Sequence, residues 1–171
     1  MSSKHTASVG SAEFRRACGA FVTGIAVATT MGRDGKPHGL TVNSFTSVSL
    51  HPPLVLVCIA HKAATHGPFS TAPSFAINIL NSGQEALSTR FASSHPNRFE
   101  GVDWCVGQGG APLLAGALAV LECETRERIE AGDHTMFVGE VRHAACVDQM
   151  ADQGADSAPL VYYRGQYAKL S

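Results

Sequence analysis

The stretch "HGLTVNSFTSVSLHPPLVLVCI", His38 to Ile59, decides the fold. Its second half, Leu54 to Ile59, is an unbroken apolar run and fits a strand buried on both faces. In the first half the pattern changes. Thr41, Asn43, Ser44, Thr46 and Ser47 place hydroxyl and amide groups among Val42, Phe45 and Val48, and Pro52-Pro53 ends the run. Alternation of that kind is a strand with one apolar face. A strand this polar, next to one this apolar, raises the question of what its side chains hold.

Working outward, strands dominate. Thr23 to Met31 is rich in β-branched residues, runs into the turn formers "GRDGKP" and resumes at His38 to Val42, which reads as a hairpin. Ser47 to Leu50, Leu54 to Ala60 and Ser74 to Leu80 are further strands. Ala117 to Ile129 and His134 to Asp148 read as two long ones joined at "EAGD", and Leu160 to Tyr163 pairs with Tyr167 to Leu170.

Helices are few. One starts at Ser11 with Phe14, Ala17, Cys18 and Phe21 on one side and Arg15 and Arg16 on the other, and a second spans Gly83 to Ser93. The loop "HPNRFEGVDWCVGQGGAP" is too rich in glycine and proline for regular structure, and Met150 to Ser157 reads as another loop. Without a repeating βαβ rhythm, the pattern predicts a mainly antiparallel sheet closing on itself as a small barrel. Residues 1–10 are expected to be a flexible tail and 11–171 one domain.

Composition narrows the function. Charged residues make up 16% of the 171, below the roughly 25% of an average globular chain, which favours an oligomer with a buried interface. A net charge of -1, with 13 basic and 14 acidic residues and no basic run, offers nothing to a nucleic acid backbone. No apolar stretch approaches the roughly 20 residues that span a bilayer, and the N-terminal segment lacks the apolar core of a signal peptide. The expectation is a soluble, cytoplasmic protein. Five cysteines, an odd number set mostly among apolar neighbours, read as reduced, buried thiols.

Several motifs are missing. "GQGGAP" at 107–112 has Pro112 where a dinucleotide fingerprint needs its third glycine, and "GKP" at 35–37 lacks the rest of a P-loop. Cys58, His61 and His66 fit no standard metal spacing, so no metal is expected.

The ordered set "FRRACGAFVTGIAVATT", "GLTVNSFTSVSLHPPLVLVCI", "FAINIL", "LSTRFA", "RFEGVDW", "PLLAGALAVLECE", "GDHTMFVGEV" and "PLVYYRGQY" resembles the short-chain flavin reductase family. These are the reductase components of two-component flavin-dependent monooxygenases. The resemblance covers most of the chain and implies an antiparallel, Greek-key-like, FMN-binding split β-barrel with a few short helices. It also implies a homodimer. The activity implied is hydride transfer from NADH or NADPH to FMN or FAD, with reduced flavin passed to a separate monooxygenase.

The resemblance also suggests site residues, and the chemistry of a flavin ring, apolar at one end and hydrogen-bonding at the other, makes them reasonable. Thr41, Asn43, Ser44, Phe45 and Ser47 would run along the ring edge, with Asn43 and Ser44 at the O4/N5 region. Cys58, Ile59 and Ala60 lead into "HKAAT", where Lys62, Thr65 and His66 would meet the ribityl chain and phosphate. Phe91 and Ala92 would pack the flavin from the helix side, with plain core packing an equal competitor. His134, presented by Asp133 and Gly132, would face the nicotinamide and is the one catalytic candidate. Two rival readings are a flavin-binding electron carrier without nucleotide turnover and an oxidase of the pyridoxamine-phosphate type. The second would want an arginine cluster, but the only paired arginines are Arg15 and Arg16 on the first helix.

Overall fold

The computed structural model describes residues 9–146 and 158–170. The elements in chain order are α1 (Ser11–Cys18), β1 (Thr23–Gly24), β2 (Ala26–Met31), β3 (Pro37–Val42), β4 (Thr46–Leu50), β5 (Pro53–Ala60), α2 (His66–Thr71) and β6 (Ser74–Ile79). After a 3₁₀ turn at Ser82–Gln84 come α3 (Glu85–Ala92), β7 (Trp104–Val106), β8 (Pro112–Leu114), β9 (Ala119–Ala131), β10 (His134–Cys146), β11 (Val161–Tyr163) and β12 (Gln166–Ala168).

Seven strands form one antiparallel sheet in the order β3-β2-β6-β9-β10-β5-β4. Its hydrogen-bonded order ends at β3 and β4, so the sheet does not close on itself, which agrees with the split barrel that the family resemblance implies. The β2–β3 hairpin turns at Gly35, with φ of 71°, and the long β9–β10 hairpin turns at Gly132, with φ of 63°. Both turns need a backbone conformation that glycine adopts without strain.

Two cores flank the β2–β6 region. Val55, Val57, Ile59, Phe69, Phe75, Ile77 and Phe137 fill one. Ile25, Val27, Leu80, Phe91, Leu114 and Leu160 fill the other and hold α3 on the sheet. Each fully buried side chain of this size contributes about 1.5–3 kcal/mol. Asn78, fully buried, is satisfied on all sides: it donates to Val27 O and Thr29 Oγ1 and accepts from Leu114 N.

Several expectations need correcting. β5 is not buried on both faces: Val55, Val57 and Ile59 point inward, while Leu54, Leu56, Cys58 and Ala60 are half-buried. An apolar run longer than one face requires hides the period of two. The segment read as irregular contains the β7–β8 hairpin. Its glycines serve a carboxylate: Gly109 N donates to the buried Glu122 Oε2 at 2.7 Å, and a side chain on Gly107 would collide with the same group. All five cysteines are free, but Cys18, Cys105 and Cys146 are exposed and only Cys123 is buried. Its thiol is pushed up to about 12 by that burial. No residue of α1 is buried among the described residues, and Phe14 and Phe21 are exposed. Val147, Asp148, the Met150–Ser157 stretch and residues 1–8 of the expected tail lie outside the described residues. No helix among the described residues is long and apolar enough to cross a membrane.

Candidate functional site

A cavity of about 620 Å³ opens between β3, the loop joining β5 to α2, and the segment following α3. A second, of about 180 Å³, is lined by Ile25, Thr41, Val42, Asn43, Ala92, Tyr162 and Tyr167. Thr41 and Ala92 line both, so the two cavities adjoin, as the wide and narrow ends of one candidate groove. At its narrow end lies an amide, Asn43. At its wide end the lining includes Lys62, Thr65, His95 and Arg98 and contains no carboxylate.

Of the residues singled out from the sequence, Thr41, Ala60, Lys62, Thr65, Phe91 and Ala92 line the wide end, and Asn43 joins Thr41 and Ala92 at the narrow one. Thr41 is partly committed, because its Oγ1 donates to Ser88 O at 2.6 Å and ties β3 to α3. Asn43 is exposed, and its side chain makes no hydrogen bond among the described residues. Phe91 is fully buried and serves both as core and as cavity wall. A side chain on Gly39 would run into its ring, so Gly39 lets β3 pass close to α3.

The others lie elsewhere. Ser44 Oγ accepts from Cys58 N at 3.0 Å and donates to Cys58 O at 3.2 Å, which commits its hydroxyl to β5. Phe45 packs against the first core. Ser47 is exposed on the edge strand β4, and Cys58 is half-buried with its thiol held up by desolvation. Ile59 is fully buried. Strand alternation explains the difference from Ala60, since neighbours on β5 face opposite ways.

His66 turns from the cavity into a bonded chain. Its Nε2 lies 2.8 Å from Thr135 Oγ1, Thr135 Oγ1 donates to Glu130 Oε1 at 2.9 Å, and Glu130 Oε2 pairs with His61 Nε2 at 2.8 Å. His61 N also donates to Asp133 O at 2.9 Å. These bonds stitch the Lys62–Thr65 loop to the β9–β10 turn. His134 sits on that turn, in register with Ala60 of the cavity wall. Its Nδ1 is 2.7 Å from Asp133 Oδ1. The hydrogen bond from His134, followed by its charge, holds the Asp133 carboxyl below the usual range. A carboxylate on Nδ1 orients the ring through that nitrogen.

Residues after α3 were missed by sequence reasoning. Ser93, Ser94, His95 and Arg98 line the wide end, and the signal was the polar, basic run "SSHPNR" placed directly after a helix end.

The donor set fits a phosphorylated, flat ligand. Among the described residues, Thr65 Oγ1 and Arg98 Nε are both buried without a hydrogen-bond partner, and Thr65 is only 4% exposed. A buried donor left unpaired costs about 1–3 kcal/mol, which an anionic ligand with several acceptor oxygens would recover. Burial also depresses the Arg98 pKa, though the guanidinium stays cationic.

With that geometry in place, likeness to known proteins becomes informative. Residues 18–171 match the model of the flavin reductase like domain, and the chain belongs to that family. It is 48% identical over 134 residues to an NADH-dependent FAD reductase of Streptomyces globisporus, covering 75% of this chain and 72% of that one. It is 42% identical over 161 residues to the FMN reductase (NADH) SmoA of Agrobacterium fabrum, covering 94% and 87%. The structure of the Streptomyces globisporus NADH:FAD oxidoreductase SgcE6 in complex with NAD and FAD fragments superposes with a TM-score of 0.84 at 40% identity, over 94% of this chain and 92% of that one. Some relatives are longer. This chain spans 47% of the reductase component of a flavin-dependent trigonelline monooxygenase from Acinetobacter baylyi, to which it is 41% identical over 91% of its own length.

Proposed function

We propose that this chain is an NAD(P)H-dependent flavin reductase that takes FMN or FAD as its flavin and supplies the reduced form to a separate flavin-dependent monooxygenase. The observation that carries this reading is the pair of adjoining cavities with an exposed amide, Asn43, at one end and a buried hydroxyl without a partner among the described residues, Thr65, with Lys62 and Arg98 at the other. A flavin is polar at its pyrimidine edge, its ribityl hydroxyls and its phosphate, and apolar at its dimethylbenzene end and over its ring faces.

Bound flavin would supply a ring nitrogen that accepts a hydride from the reduced nicotinamide, which is the whole of the covalent chemistry. The protein's part is placement. Asn43 would orient the ring edge, Phe91 and Ala92 would form the apolar wall, and Lys62 and Thr65 would hold the phosphate. His134, with Nδ1 anchored on Asp133, would present Nε2 to the carboxamide of the nicotinamide. Holding two rings in contact replaces a bimolecular encounter by a positioned one and needs no side-chain acid or base.

The exposed apolar residues of α1, of the segment after it and of β4, including Phe14, Phe21, Val48 and Leu50, support a homodimer, since an uncovered edge strand and apolar helix face invite a second copy. A cytoplasmic location fits the unpaired thiols. Stopped-flow absorbance at the oxidised-flavin band tests the reading: the band should bleach when protein and flavin are mixed with NADH or NADPH. Binding of flavin without bleaching by either nucleotide would leave an electron carrier in its place.

A further inference from the structure

We propose that Thr135 is a positioning residue whose buried hydroxyl, acting through His66, fixes the Lys62–Thr65 loop to the turn that carries His134, so that one side chain touching neither ligand governs the affinity for both; the inference rests on the flavin-reductase reading above. The loop is pinned at each end. His61, just before it, donates from N to Asp133 O at 2.9 Å and places Nε2 2.8 Å from Glu130 Oε2. His66, just after it, places Nε2 2.8 Å from Thr135 Oγ1. Glu130, Asp133 and Thr135 all belong to the tip of the β9–β10 hairpin, where His134 pairs with Ala131 and Thr135 with Glu130. The segment assigned to the phosphate and the residue assigned to the nicotinamide therefore hang on one hairpin tip.

Burial decides which of these links is firm. His61 and Glu130 are both exposed, and an ion pair in water adds little. Thr135 is 2% exposed, and the half-buried His66 stands edge-on to Phe137 with ring centroids 6.0 Å apart. Thr135 has one hydroxyl proton, which goes to Glu130 Oε1 at 2.9 Å. Its oxygen must then accept from His66, so the ring proton of His66 sits on Nε2. Without that oxygen a half-buried N–H loses its acceptor and the end of the loop loses its hold.

Thr135 and His66 line neither of the two cavities. Strand alternation turns Thr135 inward and leaves the adjacent His134 half-exposed, so Thr135 can reach a ligand only through its neighbours. The two sites are also joined by charge. Lys62 lines the wide cavity, and it acts on Asp133 as well: the His134 hydrogen bond and charge hold that carboxyl below the usual range, and the Lys62 charge adds to them.

The test uses the full chain with Thr135→Val, which keeps the shape and removes the hydroxyl, and Thr135→Ser, which keeps the hydroxyl, at a temperature well below the Tm of each. Thr135→Val should weaken FMN by roughly threefold to tenfold and leave riboflavin, which lacks the phosphate, unchanged. It should raise the nucleotide KM by a similar factor while the reduction rate at saturating nucleotide stays within about twofold. Thr135→Ser should return both affinities toward the parent, and His66→Ala, made independently, should reproduce the Val pattern, so a folding defect in one variant does not decide the matter. Added to His134→Ala, Thr135→Val should raise the nucleotide KM no further, because it acts through that histidine. A lowered Tm with parent values for FMN and nucleotide would make Thr135 a structural staple and overturn the proposal, as would a change confined to one ligand or a full additive loss in the double variant. If the parent chain binds none of FAD, FMN and riboflavin, the reductase reading itself fails and takes this inference with it.

Discussion

Ser44 Oγ is bonded to both backbone groups of Cys58, accepting from N at 3.0 Å and donating to O at 3.2 Å. One hydroxyl thereby fastens the chain between β3 and β4 to the middle of β5, next to the groove. Ser44→Ala should cost about 1–3 kcal/mol, because it leaves two half-buried backbone groups unpaired. For a chain of this size that lowers Tm by about 2–4 °C per kcal/mol. Thermal unfolding measured without flavin checks it. A variant that melts with the parent would mean that water replaces the hydroxyl and that the staple is incidental.

Asn43 is the contrasting case, exposed and without a hydrogen bond among the described residues. Asn43→Ala should leave Tm unchanged and weaken flavin binding by about 1–3 kcal/mol, the cost of a ligand polar group losing its partner. A fluorescence titration that gives the parent dissociation constant would move the ring edge away from the narrow end of the groove.

These two residues show how much of the site the sequence made legible. The polar alternation from Thr41 to Ser47 announced a strand with side chains to spare, but not which of them were spare. Thr41 and Ser44 turn out to bond Ser88 and Cys58, partners 47 and 14 residues away that no local pattern reveals. Most strand positions were readable, because β-branched runs and turn residues are local signals. The β7–β8 hairpin was not, since its glycines make room for Glu122 of a distant strand. His66 looked like a phosphate contact by position in the chain, and only the fold shows it bonded to Thr135.

Thr65 offers a cleaner probe of the phosphate end. Thr65→Val keeps the shape and removes a buried hydroxyl that has no partner among the described residues, so the flavin-free protein should be as stable as the parent or slightly more so. Affinity for FMN should fall while affinity for riboflavin, which lacks the phosphate, should not. Equal losses for both ligands would place Thr65 against the ring or the ribityl chain.

Stability should also respond to acid through the outer face of β9 and β10. Arg142 meets Glu124 at 2.7 Å and Glu140 at 2.6 Å, and Arg126 bridges the same two carboxylates. The Arg142 hydrogen bond, reinforced by both guanidinium charges, lowers the Glu124 pKa from 4.5. A depressed carboxyl pKa contributes stability that is present above the unfolded value and is lost as pH falls through the folded one. The Tm difference between parent and Glu124→Gln should therefore be constant near neutrality and shrink below about pH 4.5. A difference that persists unchanged into strong acid would show that the network acts through packing.

The last prediction concerns His134, on which turnover with nucleotide depends in the proposed reading. Its ring is held by Asp133 on the β9–β10 turn, opposite Ala60 of the groove, and it lines neither cavity. His134→Ala should therefore leave flavin affinity and Tm nearly intact while raising KM for the nucleotide or slowing flavin reduction. A hydrogen bond to a neutral carboxamide is worth about 0.5–1.5 kcal/mol, so the loss should be roughly threefold to tenfold. A residue removing a proton in the chemical step would cost about 10²- to 10⁴-fold, and a loss of that size would show that His134 does more than position. Asp133→Asn gives a second reading of the same geometry. An amide can still orient the ring by accepting from Nδ1 but no longer carries the charge, so its effect should be smaller than that of His134→Ala. If both variants reduce flavin at the parent rate at every nucleotide concentration, the turn is structural only, and a carrier that binds flavin without nucleotide turnover becomes the better account of the groove.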